Sequence, residues 1–95
     1  MNNPISVTYS DERLSILVEE YITMQKHDFT FKSLCSYVLY WAKEEGKTAN
    51  TGLYENNQLD PKDCERLNKI LEKVVSEGRI KVDSSKEKKF IKTKE

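Results

Sequence analysis

His27 is followed directly by Asp28, the pairing that orients an imidazole. A carboxylate can hold the ring in one tautomer while the other nitrogen moves a proton near neutral pH. No serine or cysteine stands at a spacing that would tie a nucleophile to this pair. Adjacent residues on a connector seldom converge on one reacting atom, so His27 reads as a structural or solvent-facing histidine. Glu19–Glu20 and Glu44–Glu45 are consecutive carboxylates near helix ends, which is the pattern of a solvated face. Gly46, Gly52 and Gly78 are too far apart to build a phosphate-cradling loop. Cys35 and Cys64 occupy positions where a helical pattern calls for an apolar side chain, so they read as buried reduced thiols. A structural zinc site takes about four ligands, and one histidine with two separated cysteines does not supply them. The expectation is therefore no enzyme, no cofactor and no metal.

The residue types that remain suit recognition. Lys62, Arg66, Lys69 and Lys73 recur at steps of four, three and four, which places them on one helical face, with Asn68 beside Lys69. Arginine and asparagine can make bidentate contacts with guanine and adenine edges in a DNA groove, and lysine can meet phosphates. A second basic group comes later in the chain, in Lys86, Lys88, Lys89, Lys92 and Lys94. A plainer reading stands beside this one. Asp63, Glu65 and Glu72 share the same helix, and Glu65–Lys69 has the spacing of an ordinary ion pair one turn apart.

Net charge argues against a strongly basic nucleic-acid binder, and the acidic first half would suit a basic partner better than DNA. The 95 residues carry sixteen basic and sixteen acidic side chains, so the net charge is zero, but it is polarised. Residues 1–45 hold four basic and seven acidic residues, net −3; residues 46–78 hold five and six, net −1; residues 79–95 hold seven and three, net +4. No apolar run approaches the roughly 20 residues of a membrane span. The first residues lack a basic start and an apolar centre, so no secretory signal is expected and the cytoplasm is the expected location.

These residues need elements to position them, and the pattern supplies a single domain over 1–95. Residues 1–9 form an extended lead-in. Ser10 caps a helix over about 11–25 with Leu14, Leu17, Val18, Tyr21 and Met24 on one face, widened by Ile16 and Ile22. Phe29, Thr30 and Phe31 make a short extended piece, too short for a free strand, with Thr30 placed to cap the next helix. Phe31, Leu34, Cys35, Val38, Trp41 and Ala42 form the stripe of that second helix, about 31–45. It is apolar nearly all round and is expected in the middle of the packing, ended by Gly46. Residues 47–58 are turn-rich, with Leu53 and Tyr54 expected to pin them to the body. Asp60 and Pro61 then open a third helix, within 59–77, with Cys64, Leu67, Leu71, Val74 and Val75 inward and Gly78 as its stop. "RIKVD" and "KKFIKT" alternate around a polar "SSKE", giving a hairpin over 79–95 in which either Phe90 or Ile91 points inward.

The fold class is thus α+β, mainly α, with three helices and a C-terminal β-hairpin. Its element order, and above all "LNKILEKVVSEGRIKVDSSKEKKFIKT", resembles the winged-helix variety of helix-turn-helix domain. That resemblance implies a third helix that enters the major groove and a hairpin wing that touches flanking phosphates. On it, Arg66, Asn68 and Lys69 would face bases. Lys62 and Lys73 would lie near phosphates, and Lys86, Lys88, Lys89 and Lys92 would act from the wing. The expected function is a small DNA-binding protein, a transcription regulator of bacterial or phage type, with double-stranded DNA as partner. The connection of about a dozen residues before the third helix departs from the roughly three or four of a helix-turn-helix proper. The alternative is a protein-interaction module or homodimer on the same scaffold. Tyr37 and Tyr40 would be its interface residues, drawn from a generous set that also includes Tyr9, Tyr21, Tyr54 and Trp41.

Overall fold

Ser10 and Thr30 each stop an extended stretch and start a helix by accepting a backbone N–H three residues on: Ser10 from Arg13 at 3.1 Å and Thr30 from Ser33 at 3.1 Å. Ser33 answers Thr30 in a capping box. In the computed structural model, which describes residues 5–26, 28–49, 58–83 and 89–92, these caps open α1 (Asp11–Met24) and α2 (Phe31–Glu45). The side chain of Lys92 is outside the description. Between the two helices lies β1 (Phe29–Thr30); after them come α3 (Pro61–Ser76), β2 (Ile80–Asp83) and β3 (Lys89–Lys92). Asp60 caps α3, accepting the Lys62 N–H at 2.8 Å, with Pro61 in the first turn. Among the described residues, no helix is long and apolar enough to cross a membrane.

The three strands form one antiparallel sheet in the order β1-β3-β2. Three helices with this sheet make an α+β, mainly α fold with its hairpin at the C-terminal end. The hairpin is present, and the two-residue β1 joins it as a third strand through Phe29↔Phe90 and Thr30↔Lys89. Period-two alternation then decides the inward residue of β3. Phe90 is 1% exposed and stacks on Phe29 at 5.4 Å, while Ile91 faces outward, 42% exposed.

The core gathers Leu14, Leu17 and Val18 of α1, Leu34 and Val38 of α2, Leu67, Leu71 and Val74 of α3, and Ile80 and Phe90 of the sheet. Three packing expectations are corrected. The helix that packs against both others is α1, not α2. On α2, Tyr40 and Trp41 are both exposed, so the helix is not covered all round. Met24 continues the α1 stripe in sequence but lies in the last turn, past the core, and is also exposed, as is Ile16. Cys35 and Cys64 are half-buried against the core rather than fully inside it.

The lead-in is a strap. Ile5 pairs with Leu59 and Val7 with Thr48, so one short segment bridges both ends of the connection between α2 and α3. Ile5 N–H donates to the Gln58 carbonyl at 2.8 Å and Ile5 carbonyl accepts from Asp60 N–H at 2.9 Å; on the other side Thr8 N–H donates to Lys47 at 2.8 Å. Ile5, Val7 and Tyr9 of the strap are buried, as is Leu59. Leu53 and Tyr54 lie outside the described residues.

Candidate nucleic-acid interface

The α3 register is set by an apolar row, Leu67, Leu71 and Val74, which faces α1 and the sheet. That leaves Lys62, Glu65, Lys69, Glu72 and Lys73 exposed. At 1.5 Å rise per residue, Lys62 and Lys69 are about 10.5 Å apart along the axis and Lys69 and Lys73 about 6 Å. None of the three lysines forms an ion pair among the described residues. The Glu65–Lys69 pair expected from spacing is not made. Lys69 and Lys73 instead line a groove of about 370 Å³ between α1 and α3, together with Ile70 and Val74 from α3 and Ser15 and Glu19 from α1.

Arg66 belongs to a different structure. Its Nε donates to Asp11 Oδ1 at 2.8 Å and its Nη1 to Asp63 Oδ1 at 2.8 Å, while Nη2 donates to the Tyr9 carbonyl. Asp63 is the one buried charged side chain among the described residues, 5% exposed, and its other oxygen accepts the Val7 N–H at 3.0 Å. Burial alone would lower the Arg66 pKa, but the hydrogen bonds it donates to Asp11 and Asp63 raise it above its ordinary value. The guanidinium therefore stitches the first turn of α3 to the strap and to the start of α1. Freeing it to read a base would leave the Asp63 carboxylate buried without its counter-charge. Asn68 is half-buried and already engaged within the chain.

At the other end of α3 the glycine stop controls a second arginine. Gly78 has φ 77°, a left-handed conformation that side-chain-bearing residues rarely adopt. Its N–H donates to Val75 and the next N–H to Val74, the two bonds of a Schellman cap. This turn aims Arg79 back at α1, where Nη1 and Nη2 each donate to the Glu19 carboxylate. The hydrogen bonds from Arg79 hold the Glu19 pKa below the usual carboxylate value against the effect of burial, and Lys73 adds to the lowering. The same bonds raise the Arg79 pKa.

On the hairpin, Lys89 is half-buried and pairs with Asp28 at 3.3 Å. Lys92 lies in β3, and Lys86, Lys88 and Lys94 are outside the described residues, as is His27. Lys81 is exposed on β2, opposite Ile91, a position that the alternation of "RIKVD" could have marked. Of the aromatic residues, Tyr37 is half-buried between Tyr21, at 5.0 Å, and Trp41, at 6.4 Å. Tyr40 is 57% exposed and packs edge-on to Trp41. The Tyr9 phenol donates to Glu45, and burial, reinforced by that carboxylate, raises its pKa well above the ordinary phenol range. Asp63 and the strap were missed from sequence: an acid in the first turn of a helix reads as a dipole partner, and its backbone donor is 56 positions away.

The chain matches no protein-family model, no curated protein and no solved structure.

Proposed function

We propose that this chain is a small cytoplasmic protein that binds double-stranded DNA through α3 and the lysine-rich hairpin, acting as a regulator of transcription. The observation that carries the reading is the row Lys62, Lys69 and Lys73. These three ammonium groups are exposed and form no ion pair among the described residues, on the helix that runs through Gly78 into the net +4 segment 79–95. Lysines so placed can replace condensed counterions on a duplex. Arg66 and Arg79 take no part, because each is held by carboxylates of the fold.

Fluorescence anisotropy with a labelled mixed-sequence duplex at low salt tests the proposal. Binding is expected, and Lys62→Gln with Lys69→Gln, at two exposed positions that form no ion pair among the described residues, should weaken it while circular dichroism stays unchanged. Absence of binding at about 50 mM salt removes the proposal, since non-specific duplex binding is strongest there.

A second reading, a homodimeric interaction module, draws on the exposed Tyr40–Trp41 pair. Light scattering that finds only monomer over a wide concentration range would remove it.

A further inference from the structure

We infer that α3 grips the sugar–phosphate backbone of a duplex without reading base edges, so that the bound DNA is recognised with no sequence preference. The inference rests on the DNA-binding reading above. Lysine and carboxylate side chains can also touch guanine and cytosine, but the sharpest direct readout comes from planar, two-pronged side chains, arginine on guanine and asparagine or glutamine on adenine. On α3 these types are Arg66 and Asn68 alone. Arg66 is held on three sides, by Asp11, Asp63 and the Tyr9 carbonyl, and Asn68 is half-buried and engaged. Arg79, the one arginine of segment 79–95, is clasped by Glu19.

The side chains that α3 offers to a duplex are Lys62, Lys69 and Lys73, compact point charges on flexible stems. Glu65 and Glu72 are exposed among them. A helix pushed deep into the major groove would drive these two carboxylates toward the phosphate walls and the acceptor-rich guanine edges. A helix riding along one backbone can turn the lysines to the phosphates and leave the carboxylates in water. Lys69 and Lys73 are suited to that contact, because both are exposed and form no ion pair among the described residues.

The test measures anisotropy at low salt with four duplexes of equal length, one enriched from a randomised pool by rounds of selection on the wild-type chain and three of unrelated sequence and different G·C content. The wild-type chain and the Lys69→Gln/Lys73→Gln variant are compared. Affinities for the four duplexes should agree within about 3-fold. The variant should weaken all four alike and reduce the salt slope by roughly two, close to one for each lost phosphate contact. A preference above about 100-fold for one duplex would overturn the inference while leaving DNA binding intact, since base readout yields discrimination of that order or more. Failure to bind any of the four overturns the DNA-binding reading and this inference together, and that result is distinct from selective binding.

Discussion

Replacing Asp63 with alanine should cost about 2 kcal/mol of stability, a figure set by its partners. The Val7 N–H, which donates to Asp63 at 3.0 Å in a buried site, would lose its acceptor. A buried donor left unsatisfied costs about 1–3 kcal/mol. Arg66 would lose one of three partners, but its side chain is 30% exposed and it keeps Asp11 and Tyr9, so this adds at most about 1 kcal/mol after solvent screening. The better helix propensity of alanine returns roughly half a kcal/mol. For a domain near this size, about 2 kcal/mol lowers Tm by about 8–16 °C. Urea and thermal denaturation read by circular dichroism measure the change. Arg66→Gln, alone and combined with Asp63→Ala, closes a double-mutant cycle whose coupling should be about 0.5–1 kcal/mol. A loss below about 0.5 kcal/mol for Asp63→Ala would refute the clamp, and Arg66 would again be open to a role at the surface.

Three further outcomes check other joints of the fold. Phe90→Ala should destabilise by about 3–5 kcal/mol, whereas Ile91→Ala on the outer face should stay within about 0.5 kcal/mol; the reverse order in urea melts would mean the hairpin register is wrong. Gly78→Ala should cost about 1–2 kcal/mol in the same assay, because alanine at φ 77° is strained although the space beside it is open. Glu19 has a folded pKa below its ordinary 4.5, so its contribution is present above that value and is lost as the pH falls through the lowered one. Glu19→Gln should remove that part of the acid dependence, and identical acid-unfolding slopes for the two proteins would contradict the Arg79 contact.

Local signals were legible in the sequence, and long-range ones were not. Ser10, Thr30, Asp60 and Gly78 announce helix ends through short-range chemistry, and all four act where their types indicate. The inward rows of α1 and α3 came from periodicity. Phe29 and Thr30 gave too short a run to specify a strand, since β1 exists only because Phe29 meets Phe90, 61 positions later. Arg66 has the helical spacing of a basic stripe, yet the first turn of α1 happens to stand against it, and no local pattern encodes that neighbour. For the candidate interface, Lys62, Lys69 and Lys73 were legible as exposed cations because their spacing is opposed to the apolar row. The removal of Arg66 from their number required the tertiary structure.

If the exposed lysines of α3 and the basic segment 79–95 meet DNA phosphates, the salt dependence of duplex binding shows it most directly. With the three α3 lysines alone, log K should fall against log salt with a slope of about −2.7, and hairpin contacts would make it steeper. A slope near zero, or no measurable binding at about 50 mM salt, would contradict the account.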